Sequence, residues 1–66
     1  MFDPYVSSYI PKIGDVLDFG DYQQTVLNDI FLHTTSQRLF EVVDQNDNKT
    51  HMMRRQFSDG TVHWSE

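Results

Sequence analysis

The sequence predicts an all-β domain, a small barrel or a strongly curled antiparallel sheet of about five strands. Three observations lead there. Apolar and β-branched residues alternate with polar ones through Leu39-Phe40-Glu41-Val42-Val43, Thr50 to Phe57 and Thr61 to Ser65. Clusters of Asp, Asn and Gly separate these runs, at Asp44 to Lys49 and at Asp59-Gly60. Nine aromatic residues sit in a chain of 66, too many to be anything but mostly core. The alternative is an α+β fold, with a helix over 22–33 packed on a three-stranded antiparallel sheet.

Residues 1–11 contain both prolines, Pro4 and Pro11, and read as an irregular arm, because Pro interrupts helix and ladder alike. The arm also carries Phe2, Tyr5, Val6, Tyr9 and Ile10, which either pack back onto the domain or offer an exposed apolar contact. Residues 12–66 then form a single small β domain. A short strand is expected from Ile13 to Phe19, bracketed by Gly14 and Gly20. Residues 22–33 fit two patterns. With Asp21 as N-cap and Gln24 reaching back, Val26, Leu27, Ile30 and Phe31 share a helical stripe. As a strand, Val26, Ile30 and Leu32 share one face and Leu27 and Phe31 the other, and the β-branched and aromatic content favours this version. Thr34-Thr35-Ser36-Gln37 reads as the turn that follows.

The Asp59-Gly60 pair predicts a two-residue type I′ hairpin, placing Phe57 opposite Val62 and Arg55 opposite Trp64. A two- or four-residue loop at Asp44 to Lys49 keeps parity, since side chains alternate with period two. The expected core face is therefore Phe40, Val42, Met53, Phe57, Val62 and Trp64. The expected outer face holds Glu41, Arg54, Gln56 and His63, with Leu39, Val43 and Met52 as apolar exceptions.

The order of features is similar to an SH3-like small β-barrel of the Tudor or KOW kind. The resemblance is carried by the opening Ile13-Gly14-Asp15-Val16, the bent run Val26 to Leu32, the hairpin from Phe40-Glu41-Val42-Val43 to Met53, and the closing Asp59 to Trp64. The resemblance spans roughly residues 12–65 and implies a binding module, although the aromatic cage used by that family cannot be placed on these residues. Fold alone does not fix function.

Chemistry is mostly excluded by what is missing. There is no cysteine, so neither disulfides nor thiolate chemistry arise. No serine sits in a strand–turn–helix elbow, and no glycine-rich phosphate loop exists. No catalytic residues and no cofactor are expected. Asp44-x-Asn46-x-Asn48 resembles the start of a calcium loop, but Lys49 and Arg55 fall where that loop needs Gly and Glu. His33, His51 and His63 are scattered, with His51 and His63 expected on opposite faces, so no zinc site follows. Asp44 near His51 would be a surface pair. No metal is expected.

Ten acids against five bases give a formal net charge of -5, and eight of the acids are aspartates. Such a surface repels nucleic acid at long range. No apolar run approaches the ~18 residues of a membrane span. Met1-Phe2-Asp3-Pro4-Tyr5 lacks a basic region ahead of an apolar stretch, so no signal peptide is expected. A cytoplasmic location, inside the host cell for a viral protein, follows as the expectation.

The expected function is a non-catalytic, acidic protein–protein interaction module, of the size of phage or mobile-element accessory or inhibitor proteins that act on a host protein. Its candidate partner-binding residues are Tyr5, Tyr9 and Ile10 of the arm, Asp15, Asp18 and Asp21, and Arg54, Arg55 and Trp64, the types enriched at interfaces or able to mimic phosphates. Alternatives are nucleic-acid binding through Arg54, Arg55 and Trp64, with Arg55 stacked on Trp64, or nucleic-acid mimicry through Asp15, Asp18 and Asp21. Homodimerisation through a sheet edge or the arm is a further option.

Overall fold

The computed structural model describes residues 1–34 and 37–66. Five strands follow one another in a single antiparallel sheet: β1 (Val16–Asp18), β2 (Gln23–Leu32), β3 (Gln37–Asp44), β4 (Lys49–Gln56) and β5 (Val62–Ser65). The sheet curls into a half-barrel, and no helix occurs among the described residues. None, therefore, is long and apolar enough to cross a membrane.

The segment open to two readings is strand β2, paired along almost its whole length with β3. Its alternation is not regular, because a β-bulge lies between Val26 and Asn28. A bulge sets two residues against one and shifts the pleat by one position. Before it, Gln24 and Val26 point inward. After it, Phe31 lies opposite Arg38 and shares the inner face with Val26, while Ile30 and Leu32 turn outward with Leu39 and Gln37. The expected grouping of Val26 with Ile30 and Leu32 is thus corrected. The first strand is also shorter than expected: Gly14 takes a φ of 93°, turning the chain before β1, and Ile13 is left 67% exposed. Of the expected turn at residues 34–37, Thr35 and Ser36 lie outside the described residues, and Gln37 already opens β3.

Both later hairpins have three-residue loops, where even-numbered loops were expected. The Asp44 N–H donates to the Asn48 carbonyl at 3.1 Å and the Asp47 N–H to the Asp44 carbonyl at 3.2 Å, with Asp47 at a φ of 63°. Likewise the Phe57 N–H donates to the Thr61 carbonyl at 2.9 Å and the Gly60 N–H to the Phe57 carbonyl at 3.0 Å, with Gly60 at a φ of 91°. Each is a tight turn followed by one left-handed residue, the usual three-residue hairpin. An odd loop inverts the pairing parity. Phe40 therefore faces Met52 and not Met53, and Trp64 faces Arg54 and not Arg55.

The two shifts cancel between β3 and β5 and turn β4 over. Phe40, Val42, Val62 and Trp64 keep their common face, but Met53 and Phe57 leave it, Phe57 being 41% exposed. Met52 and Arg54 enter it. The buried cluster is Leu17, Val26, Phe40, Val42, Met52 and Trp64, with Phe19 and Val62 packed against it. Leu17 comes from β1 and Trp64 from β5, the two ends of the sheet, so the curl itself closes the core.

The turn aspartates tie both loops. Asp44 Oδ1 accepts the N–H groups of Asn46 (2.8 Å) and Asn48 (2.9 Å). Asp59 Oδ1 accepts the N–H (3.0 Å) and hydroxyl (2.7 Å) of Thr61. The Asn48 N–H first, and the Thr61 N–H first in its own turn, hold these carboxyls below the usual carboxylate value, and the Tyr9 hydroxyl does the same for Asp15. A folded-state value below the unfolded one adds stability above the ordinary carboxylate range, near pH 4, and loses it as pH falls through the depressed values. The urea midpoint is therefore expected to be flat from neutrality to roughly pH 5 and to fall below about pH 4. Asp44→Asn should shrink that fall, and an unchanged acid limb in the variant would contradict the assignment.

Candidate functional site

Residues 1–11 cross the open side of the half-barrel and are tied to it by backbone groups. The Phe2 N–H donates to the Val16 carbonyl at 2.8 Å and the Asp18 N–H to the Phe2 carbonyl at 2.9 Å, a parallel bridge on the outer edge of β1. The buried Trp64 donates its indole N–H to the Pro4 carbonyl at 2.8 Å. Arg54 donates to the Val6 carbonyl at 3.3 Å. The two largest polar side chains of the inner face thus hold the arm by its carbonyls, which a proline-bearing segment leaves without ladder partners.

Anchored this way, the arm and the end of β1 enclose an open cleft of about 400 Å³. Phe2, Tyr5 and Phe19 supply aromatic walls, and Asp3 and Asp18 supply carboxylates. The rings are fixed from outside. Tyr9 stacks on Phe2 with centroids 4.9 Å apart, Tyr22 stacks on Phe19 at 5.2 Å, and Tyr5 meets Phe19 edge-on at 6.1 Å. Phe19 in turn meets Trp64 edge-on at 5.5 Å, and Trp64 meets Phe40 at 5.4 Å, so one aromatic chain runs from the centre of the core to the cleft. Asp3 Oδ1 accepts the Tyr5 N–H and Asp18 Oδ1 the Gly20 N–H, both at 2.9 Å. The second oxygen of each takes no donor among the described residues.

The sequence-derived candidates divide sharply. Tyr5 and Asp18 line the cleft. Tyr9 supports it through Phe2. Its hydroxyl donates to Asp15 Oδ2, which also accepts the Lys12 N–H at 2.8 Å, so one oxygen of Asp15 fastens the arm. That hydrogen bond to Asp15 raises the Tyr9 pKa. Arg54 and Trp64 hold the arm from beneath. Ile10 and Asp21 are exposed and do not line the cleft. Arg55 is separated from Arg54 and Trp64 by the width of the sheet and lies over the Phe57 ring at 4.9 Å, so the expected stack on Trp64 is replaced. Asp3 and Phe19 were not singled out from the sequence, and Phe2 was named only among the apolar residues of the arm. Their only signal was the concentration of aromatic residues around Pro4 and Gly20.

The histidines follow the corrected parity. His51 pairs across from Glu41 at 3.9 Å, not with Asp44, and His63 lies opposite Arg55, on the same outer face as His51. No group of three or more metal-ligating side chains occurs among the described residues. The cleft can hold a cation: aromatic faces attract positive charge through their quadrupole, and a carboxylate at the rim adds direct charge complementarity.

Comparison with protein-family models, with curated proteins and with solved structures found no match to this chain.

Proposed function

We propose that this chain is a non-catalytic protein-interaction module that captures a basic side chain of a partner protein between Phe2, Tyr5 and Phe19. The observation that carries the reading is the pairing of three aromatic walls with two carboxylates around one opening, in a protein of net charge -5. The rest of the molecule supports it: a half-barrel scaffold, of the SH3-like kind in this reading, whose core chain of rings ends in the cleft wall. A small accessory or inhibitory protein acting on a host protein fits the same features.

Two alternatives lose ground on geometry. Nucleic-acid binding through Arg54, Arg55 and Trp64 needs one surface, but Arg55 lies on the opposite face and the other two lie under the arm. Phosphate mimicry through Asp15, Asp18 and Asp21 has one Asp15 oxygen already engaged by the Tyr9 hydroxyl and the Lys12 N–H.

The test is a titration of isotope-labelled protein with short lysine- or arginine-bearing peptides, against a glutamate-bearing control. The amides of Phe2, Tyr5 and Phe19 should shift with the basic peptides, and binding should weaken with salt. Asp3→Asn with Asp18→Asn should reduce affinity roughly tenfold, two partly exposed charge contacts of about 0.5–1 kcal/mol each. No shift at these amides with either basic peptide would remove the reading.

A further inference from the structure

Arg54 is 4% exposed, and no carboxylate lies within ion-pair distance of it among the described residues. Its guanidinium has two acceptors, the Val6 carbonyl at 3.3 Å and Gln56 Oε1 at 3.4 Å. Both are longer than the ~2.7–2.9 Å of a charge-assisted hydrogen bond. Its Nε–H is buried and has no acceptor among the described residues. The residue directly across the ladder is another cation, Arg38, whose charge is already met by Asp29 at 3.0 Å. Burial first, and Arg38 second, push the Arg54 pKa down. A buried cation beside a like charge, with only neutral and distant acceptors, is an unfavourable arrangement that packing alone does not require, because methionine would fill the same space without it.

We propose that Arg54 is the seat of a carboxylate-binding site on the inner face of the sheet, where an Asp or Glu side chain of a partner protein replaces the Val6 carbonyl. The carboxylate enters past the inner-face neighbours of Arg54, which are Arg38 across the ladder, Phe31 beyond it and Gln56 on its own strand. Phe31 and Gln56 are exposed, and the Arg38 side chain is 30% exposed and stacked over the Phe31 ring at 5.1 Å. A carboxylate can accept two parallel N–H bonds from one guanidinium, which a single backbone carbonyl cannot. Charge selects the same occupant. One guanidinium remains uncompensated, so one negative charge balances it, whereas a polyphosphate chain meets the repulsion of a net charge of -5. Entry of the carboxylate frees Val6, and with it the segment of the arm next to the Pro4–Trp64 hydrogen bond, so the Trp64 indole N–H reports the event.

The experiment follows the Arg54 Nε–H and Trp64 Nε1–H resonances while sodium acetate, a short glutamate-bearing peptide or sodium phosphate is added, each against sodium chloride at equal ionic strength. Acetate and the peptide should shift both resonances saturably, and the peptide should be the tighter of the two. In Arg54→Met the Trp64 response should vanish while the protein melts at the same or a higher temperature. Should that variant fail to fold, the wild-type titration still decides. Carboxylates that move neither resonance beyond the chloride control overturn the proposal. So does saturable binding of phosphate with none of acetate or peptide, which would assign the site to a phosphorylated ligand.

Discussion

Phe40→Ala is expected to leave half or more of the protein unfolded at room temperature. Phe40 has no exposed surface, lies on the central strand β3 opposite Met52, and packs its ring 5.4 Å from Trp64. Truncating a buried Phe to Ala costs about 3–5 kcal/mol, the transfer free energy plus the cavity left behind. A single core of this size supplies roughly 3–5 kcal/mol of net stability. The two quantities are equal within their spread, so the folded population falls from nearly all to about half or below. The lone tryptophan gives a direct readout, because Trp64 loses its buried environment when the sheet opens. Phe40→Leu is the control: it keeps most of the volume and should remain folded, with a lower urea midpoint. A cooperative urea transition near the wild-type midpoint in Phe40→Ala would mean that the core lies elsewhere.

The same residue shows what the sequence revealed and what it concealed. Phe40, Val42 and Trp64 were legible as core because they alternate within runs bounded by turn residues. The identity of their neighbours on β4 was not legible, because it depends on whether each loop has an even or an odd number of residues. Asp59-Gly60 carries the same left-handed glycine in a two-residue turn as in a three-residue one, and only the recruitment of Ser58 into the loop distinguishes them. At Asp44 to Asn48 the left-handed position falls on Asp47, which the string of Asn and Asp does not single out. Hydrophobicity could not arbitrate either, since Met52 and Met53 are identical in character and Arg54 and Arg55 likewise. The consequence for function is large: one step of register moves a guanidinium from the surface into the core. Leu27 hides a similar step, because a bulge has no side-chain signature of its own.

The cleft was half legible. The arm's aromatic residues stood out, as did Asp18. That Phe2 would add a bridge to β1, and so bring Asp3 and Tyr5 beside Phe19, required knowing that the sheet leaves its side open. A fully closed barrel would have no use for the arm, and its rings would have to find another surface.

Trp64→Ala carries the second large effect, and Trp64→Phe separates its two causes. Trp64 serves both core and arm: its ring fills the inner face against Phe19 and Phe40, and its N–H holds Pro4. Removing the ring costs about 3–5 kcal/mol and should unfold the protein as Phe40→Ala does. Phenylalanine keeps most of the apolar volume but donates nothing, leaving the buried Pro4 carbonyl without its partner at a cost of about 1–2 kcal/mol. That cost falls on the arm and not on the sheet, since β2 to β4 retain every ladder bond. Hydrogen exchange at the Phe2 and Asp18 amides, which close the arm–β1 bridge, should therefore accelerate roughly 5- to 30-fold. Exchange at Phe40 and Met52 should follow only the smaller change in global stability. Because the arm contributes Phe2, Asp3 and Tyr5 to the cleft, affinity for a lysine-bearing peptide should drop in the same variant, while Arg55→Ala on the far face leaves it unchanged. Equal acceleration at all four amides would place the indole hydrogen bond in the global fold and would detach the cleft from it.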